Sequence, residues 1–233
     1  MKLLFIILTI VTTVRLSESR ESLKTYSINM IKGDIELSGK GDDPRWGEAG
    51  ALTDFHYPWE NEAAPYTEFR SLHSADWVYF LFNIKDHDVN IRQETNKKTE
   101  VAASSRAEIF FRIDEKLDPY YCLEIDPLGR VLDYEATYHR NFDTNWSWPA
   151  NQLVIKSDRR KDGYSVEFAI SKKSLQQLGL LKNNVMQAGL FRANCSHPPN
   201  GGEEFKWMSW MKPEARTPDF HIPSSFGILR LMD

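Results

Sequence analysis

The chain has 233 residues, of which 41% are hydrophobic and 12% aromatic, and its formal net charge is −4. This length and apolar content are enough for one sizeable core, and a β-sandwich of this size is commonly a single domain. The slightly acidic balance lacks the basic field that nucleic acids require, so we expect no nucleic-acid partner.

The N-terminus is typical of an export signal. Lys2 supplies a positive end, Leu3–Val14 is an apolar run too short to span a bilayer comfortably, and Ser17–Ser19 provides small residues for a signal peptidase. We therefore predict a signal peptide over residues 1–19, cleaved before Arg20. The rest, residues 20–233, is expected to be one monomeric domain, exported to the periplasm or beyond the cell, with no later transmembrane segment.

The next hundred residues predict strands separated by polar loops. Asp34–Leu37 is expected to be an edge strand, followed by a Gly/Asp turn and by Trp46, which we expect to fill one end of the core. Thr67–Leu72 and Trp77–Lys85 predict a hairpin whose second strand is apolar on both faces, as in a central strand. Asn90–Ser105 is polar and predicts a loop with one helical turn.

Asp86 and Asp88 follow that central strand. Two carboxylates around a loop could hold a structural calcium ion. Calcium needs roughly 6–8 oxygen ligands, and only part of such a set is present. A capped turn is therefore the favoured interpretation, and calcium is the alternative. The sequence predicts no other cofactor.

The stretch from Arg106 to Tyr134 predicts three strands joined by two tight turns. Ala107–Asp114 and Tyr120–Asp126 both alternate between apolar and polar residues, as half-buried strands do. If the apolar faces pack inward, the opposite face carries Glu108, Glu124 and Asp126. Three carboxylates near aromatic rings could serve sugar hydroxyls, a metal or acid–base chemistry, and an ordinary solvated face is the alternative.

The loop after this stretch contains Trp146 and Trp148. A flat apolar ring stacks well on a pyranose, so Trp146 is a candidate ligand platform; the alternative is that one or both rings fold back on the sheet. Leu153–Ser157 and Tyr164–Ile170 predict another hairpin. Ser171–Leu178 predicts one short helix that Gly179 ends.

Met186–Asn194 predicts a strand with Arg192 on one face, where it could balance Glu108 and Glu124 or bind ligand oxygens. Lys206–Met211 is another strand with Trp207 and Trp210 on opposite faces; we expect Trp210 to lie near the ligand. Cys122 and Cys195 could form a disulfide in an exported protein, and the sequence does not decide between a bridge and free thiols.

Several of these segments resemble the carbohydrate-binding modules of family 9 and their stand-alone relatives. Ala107–Phe110 followed by Tyr120–Gly129 is similar to the family pattern VEIF…YYEFEVNPLG. Trp77–Asp88 is similar to ALYVAFRCEDPD, and Pro223–Leu231 matches the family ending P..FG.L.L. The resemblance extends over nearly all of Ile35–Leu231 and implies an all-β antiparallel sandwich of jelly-roll or immunoglobulin-like type with one short helix.

The resemblance also implies a ligand and a mechanism. Characterised members hold a sugar between two tryptophans and bind its hydroxyls with polar side chains. One clamp position falls on Ala102, a departure from the family, and the other on Phe220, followed by His221. Arg192 falls on a position that contacts the sugar. The predicted partner is an oligo- or polysaccharide. The residue patterns and the resemblance together predict binding by Glu108, Glu124, Asp126, Arg192, Trp210, Phe220, His221 and Trp146.

The leading hypothesis is therefore a non-catalytic exported carbohydrate-binding protein that contributes to polysaccharide breakdown. A glycan hydrolase that uses Glu108 and Glu124 as an acid–base pair is one alternative. A haem-binding or electron-transfer module is another, since some related sandwiches bind haem through Met and His or Lys, and Met208, Met211 and His221 lie in the corresponding region of this sequence. A purely structural domain with a protein-covered face is the fourth reading.

Overall fold

The computed structural model describes residues 23–95, 97–197 and 202–233. The predicted signal peptide lies outside these residues. In the described part, twelve strands and one α-helix, α1 (Lys172–Gln177), account for the regular structure apart from short 3-10 turns. The strands are β1 (Thr25–Met30), β2 (Thr67–His73), β3 (Trp77–Lys85), β4 (Arg106–Arg112), β5 (Tyr120–Ile125), β6 (Val131–Thr137), β7 (Asn141–Asp143), β8 (Leu153–Arg160), β9 (Gly163–Ser171), β10 (Val185–Ser196), β11 (Glu204–Ser209) and β12 (Gly227–Leu231).

The strands pair in the order β7-β6-β5-β4-β10-β12-β1-β2-β3-β9-β8, and β11 pairs with the far end of β10. Most neighbours are antiparallel, but β1 runs parallel to both β12 and β2. The sheet is therefore mixed, and the expectation of a purely antiparallel sandwich is wrong in this respect. The parallel strand arises from Thr25–Met30, while Asp34–Leu37, predicted to be the first strand, has no strand structure.

The two halves of this sheet pack face to face as the layers of a sandwich. The rings of Phe80 on β3 and Phe111 on β4 meet between the layers with centroids 6.2 Å apart. Phe80 also stacks on Phe168 of β9, at 4.9 Å. The alternation predicted for β4 and β5 is confirmed, because their inward residues join those of β3 and β9 in the largest buried cluster of the described chain.

One layer of the sandwich contains β2, β3, β9 and β8, and its outer face is covered by the segment between β1 and β2 that includes Ile31, Ile35 and Trp46. Tyr79 and Leu81 of β3 pack there with Trp46, so β3 is buried on both faces, as the sequence predicted. Trp46 is buried and donates its indole N–H to Glu167 Oε1 at 2.8 Å. Its structural role is thereby confirmed.

The remaining local predictions hold with small shifts of boundary. Ser171 caps α1 by accepting a hydrogen bond from the Ser174 N–H, and Gly179 adopts a φ of +72° just after the helix. The predicted helical turn is a 3-10 helix over Lys98–Ala103. No helix of the described chain has the length and apolar character that crossing a bilayer requires.

Candidate functional site

A pocket of about 440 Å³ opens on the outer face of the layer formed by β6, β5, β4 and β10. The register of the strands determines which side chains form the bottom, or floor, of this pocket. Glu108 of β4 pairs directly with Glu124 of β5, which pairs with Leu132 of β6. On the other side, Glu108 pairs with Phe191 of β10. One cross-strand row therefore places two carboxylates side by side between apolar neighbours.

Arg106 binds both carboxylates. It lies two residues before Glu108 on the same strand, so the period of two brings it to the same face. Its Nε is 2.8 Å from Glu108 Oε1 and 2.6 Å from Glu124 Oε2. Its Nη1 donates to the carbonyl oxygens of Ala102 and Ser104. All three ionic side chains are buried, so the floor is a rigid and nearly dry polar cluster.

Hydrogen bonds and burial set the charge state of this floor. Tyr134 donates its hydroxyl to Glu124 Oε1 at 2.8 Å. Burial, together with the neighbouring charge of Glu124, raises the pKa of Glu108 to about 8, although Arg106 opposes this shift. Burial also raises the pKa of Tyr134 well above its usual value, which keeps the phenol protonated as a donor.

Aromatic side chains and two loops form the walls. Trp207 of β11 and Trp59 lie at one side, and Phe142 of β7 lies at the other. Phe142 is 38% exposed, and Trp59 and Trp207 are half-buried, so part of each ring is accessible. The 3-10 helix contributes Ala102 to the rim. Aromatic walls over a polar floor suit a ring with one apolar face and polar edges.

The loop before β12 closes the remaining side with Phe220 and His221. Phe220 stacks on Phe191 at 4.1 Å and is buried. His221 stacks on Phe110 at 5.1 Å and its Nδ1 is 3.0 Å from the Tyr120 hydroxyl. Burial lowers the pKa of His221 to about 3, so the ring is neutral at ordinary pH.

A charged cluster tied to the same loop lies at the rim. Asp219 accepts from His139 Nε2 at 2.8 Å and from Arg140 Nη1 at 3.1 Å. Burial alone would raise the pKa of Asp219, but the hydrogen bonds from His139 and from the His221 N–H lower it below its usual value. Asp219 and Arg140 both line the pocket, and their charges offset each other.

Four of the eight residues predicted to bind ligand line this pocket, namely Glu108, Glu124, Phe220 and His221. The other four lie elsewhere. Asp126 directly follows β5 and is buried; its carboxylate accepts from the Leu128 and Arg130 N–H groups and pairs with the Arg130 guanidinium. It caps a turn and does not line the pocket.

Arg192 is on the face opposite Glu108, contrary to the expectation that it lies beside the two carboxylates. Because Phe191 is the direct partner of Glu108, Phe191 shares its face and Arg192 points between the layers. There it is fully buried and pairs with Asp86 Oδ2 at 2.8 Å. Asp86 also accepts from the Asp88 N–H, which is the capped turn that the sequence favoured over calcium.

The two tryptophans proposed as platforms are also displaced. Trp210 is buried in the main core, and its neighbour on the opposite face, Trp207, lines the pocket instead. Trp146 folds back on the core, with its ring 5.1 Å from Tyr121 and 5.7 Å from Trp148. This was the alternative that the sequence left open.

The residues required for a haem site, a disulfide or a hydrolytic pair are not arranged as those alternatives require. Met208 pairs with Arg192 on the inner face, within 4.0 Å of its guanidinium, whereas His221 lies on the outer face. Cys122 and Cys195 are both free and buried. Glu108 and Glu124 do meet, but they lie side by side on one guanidinium, whereas a hydrolytic pair must flank the scissile bond.

Sequence reasoning missed Arg106, Tyr134, Trp59, Trp207, Phe142, Arg140 and Asp219 as pocket residues. A signal was present for two of them. Arg106 and Glu108 are two residues apart in an alternating strand. Tyr134 of β6 pairs with Cys122 of β5, which lies two residues before Glu124 and therefore on the same face. The wall residues come from loops and from the edge strands β7 and β11, whose position over the pocket depends on the complete fold.

Comparison with known proteins gives a consistent result. The family model described as "Carbohydrate family 9 binding domain-like" matches residues 37–233. A "putative carbohydrate-binding protein" from Bacteroides uniformis superposes with a TM-score of 0.70 at 16% identity, covering 91% of this chain and 100% of that one. No curated protein matches the chain significantly.

Two further structures are of a carbohydrate binding module family 9 from Caldicellulosiruptor kristjanssonii. The complex with glucose has a TM-score of 0.57 at 16% identity and covers 90% of this chain and 96% of that one. The complex with cellotriose has the same TM-score and identity, covering 89% and 93%. At this identity the likeness shows a shared fold.

Proposed function

This chain belongs to the carbohydrate family 9 binding domain-like family, and we propose that it binds a sugar in the outer-face pocket without catalysing a reaction. The observation that carries the proposal is the buried cluster of Arg106, Glu108 and Glu124 beneath partly exposed aromatic rings. Burying charged groups at the bottom of a pocket costs desolvation free energy, so such a cluster is expected to bind a ligand or to stabilise the fold.

The chemistry of the pocket suits a sugar ring. The C–H face of a pyranose is apolar and packs on aromatic rings, whereas its edge carries hydroxyl groups. Trp207, Trp59 and Phe142 supply the aromatic surface, and the floor supplies the polar groups. The volume of about 440 Å³ lies within the usual range of small-ligand pockets. The family 9 module from Caldicellulosiruptor kristjanssonii forms complexes with glucose and with cellotriose, which supports this class of ligand.

The cellular setting is part of the proposal. The charged start and apolar run of residues 1–19 support export, and an exported sugar-binding domain would contribute to polysaccharide recognition and breakdown. We further propose that residues 20–233 act as one monomeric domain.

Titration calorimetry tests the binding. The purified chain is titrated with glucose, cellotriose and an acidic oligosaccharide, and we expect saturable binding of a neutral sugar. Phe142→Ala should weaken it several-fold. Tyr138→Ala is the matched control, because Tyr138 is an exposed aromatic residue just after β6 that does not line the pocket. Equal loss in both variants, or no binding across a broad panel by a folded protein, would refute the proposal.

A further inference from the structure

The floor of the pocket has more carboxylates than cations. Glu108 and Glu124 form a direct cross-strand pair, and Arg106 Nε is within 2.8 Å of an oxygen of each. All three side chains are almost completely removed from water. One guanidinium balances one carboxylate, and a second unbalanced carboxylate in such a site is strongly disfavoured. The simplest way to balance the cluster is a proton on one of the two glutamates.

The hydrogen bonds are distributed unequally between the two. Glu124 Oε1 accepts a hydrogen bond from the Tyr134 hydroxyl, whereas Glu124 Oε2 has only an ion-pair contact with Arg106 Nε and forms no hydrogen bond in the described chain. Glu108 contacts Arg106 through Oε1 alone, as an ion pair without hydrogen-bond geometry, and neither oxygen of Glu108 accepts a hydrogen bond within the described chain. Donors stabilise an anion, so the negative charge belongs on Glu124 and the proton on Glu108.

Among the described residues, no other group beside the two glutamates supplies the missing positive charge. Cys122 on β5 and Tyr134 on β6 have pKa values raised by burial, so both are neutral. The pocket-facing side chain of β10, Phe191, carries no charge. At the rim, Arg140 and His139 are paired with Asp219, and His221 is neutral because burial lowers its pKa. The pKa of Glu108, about 8, agrees with this count.

We propose that Glu108 meets the bound sugar as a neutral carboxylic acid and donates a hydrogen bond from its free oxygen to a sugar oxygen, in a pocket that selects uncharged sugars. This inference rests on the proposed function. An ionised Glu108 could only accept hydrogen bonds, so the proton decides which sugar oxygens fit. Since Arg106 and Glu124 already offset each other, an acidic sugar would bring a buried charge with no counter-ion.

The first test is the pH dependence of affinity, measured by titration with cellotriose, glucose and a uronic-acid oligosaccharide from pH 6 to 9.5. For the wild type we expect constant affinity up to about pH 7.5 and then a loss of about tenfold per pH unit above the pKa of Glu108. Glu108→Gln keeps a donor in the same shape. It should bind within about threefold of wild type at pH 7 and show a flat profile.

A second variant separates this role from a structural one. Glu124→Gln leaves Glu108 as the sole carboxylate beside Arg106, so Glu108 should ionise and the affinity at pH 7 should fall at least tenfold. Thermal melts establish that each variant is folded. A purely structural role for Glu108 would not give a flat profile in Glu108→Gln together with a lost affinity in Glu124→Gln.

Infrared difference spectroscopy without ligand tests the proton directly. We expect a protonated carboxylic acid band at pH 7 that disappears in Glu108→Gln and titrates near pH 8 in the wild type. Tight sugar binding with no such band, or with a flat wild-type profile, would overturn the donor role and leave sugar binding intact. No binding in any arm by folded protein would overturn the proposed function and the donor role with it.

Discussion

Arg192 Nη2 lies 2.8 Å from Asp86 Oδ2, and both side chains are buried between the layers of the sandwich. The guanidinium also donates to the Thr67 hydroxyl and to the Lys85 carbonyl, each at 3.2 Å. Arg192 therefore joins β10 to the end of β3 and to β2. A family position that implied sugar contact holds in this chain a residue that ties the two layers together.

Removal of one partner of this ion pair should destabilise the fold and spare the site. We expect Asp86→Ala to lower the free energy of unfolding by about 3–5 kcal/mol, because it leaves the buried Arg192 charge without a partner. Denaturant unfolding measures this change. Asp88→Ala is the control, since only the backbone N–H of Asp88 takes part in the turn. Sugar affinity at a temperature where both variants are folded should be unchanged, and a selective loss of affinity would contradict this placement.

Trp207 and Trp210 offer a matched pair with opposite consequences. Trp207 is half-buried at the pocket wall, with the Arg106 guanidinium 5.3 Å from its ring. Trp210 is only 2% exposed within the core. We expect Trp207→Ala to weaken sugar binding about fivefold to tenfold with a small effect on the melting temperature. Trp210→Ala should cost about 3–5 kcal/mol of unfolding free energy instead.

Calorimetry and thermal melts on the two variants check this division. Reversed results, with affinity lost in Trp210→Ala at full stability, would restore the assignment that the sequence favoured. Trp207 lies in β11 and Trp210 directly follows its last residue, and since both are tryptophan, differences in side-chain size do not complicate the comparison.

The sequence could predict which residues share a face, but not which face meets the ligand. The placement of Glu108 and Glu124 on one face was right. Arg192 was nevertheless assigned to the wrong side. Alternation fixes the relative side of residues within a strand, whereas register between β10 and β4 fixes it across strands, and register is a property of the assembled sheet.

Local sequence patterns could not predict the parallel strand pairing or the residues that form the pocket walls. Thr25–Met30 pairs with the last strand, β12, across almost the whole chain length, and no local pattern signals such a partner. Trp59, Phe142 and Trp207 come from three separate segments and meet only around the pocket. By contrast, β3, β9 and α1 follow from local alternation and capping, which is why their predictions held.

His221 should make the fold sensitive to acid. Its pKa is lowered to about 3 by burial, against an ordinary value of 6.5, so the unfolded chain binds more protons between these values. Stability should therefore fall as the pH drops from 6.5 towards 3. Unfolding measured across this range should show a smaller slope in His221→Gln, and NMR should show that the ring is still neutral at pH 5. A His221 that titrates near pH 6.5 would contradict this environment.

Cys122 and Cys195 should behave as protected thiols. Both are buried and unbridged, and burial raises the pKa of each thiol. The thiolate is the reactive form, so labelling by a thiol reagent at pH 7 should be slow in the folded protein and should reach two equivalents after unfolding. Mass spectrometry without reductant gives the same count. Fewer than two labelled thiols in the denatured chain would indicate a disulfide.

Ala102 marks an open side of the pocket. It is exposed at the end of the 3-10 helix over Lys98–Ala103 and lines the pocket rim. The family resemblance places a clamp tryptophan at this position, and Phe220, at the other clamp position, is covered by Phe191. The pocket therefore lacks the family's paired rings, and its accessible aromatic surface comes from Trp207, Trp59 and Phe142.

Ala102→Trp should add an aromatic wall where one is missing. Because the position is exposed, the ring can be added without displacing the core, and an aromatic contact is worth about 0.5–1.5 kcal/mol. We expect affinity for cellotriose to rise about twofold to tenfold, mainly through slower dissociation, as measured by calorimetry and stopped-flow kinetics. Ala150→Trp, at an exposed residue that does not line the pocket, should change neither quantity. Weaker binding in Ala102→Trp alone would mean that the ligand already occupies the space beside Ala102, and that the open side is part of how this pocket fits its sugar.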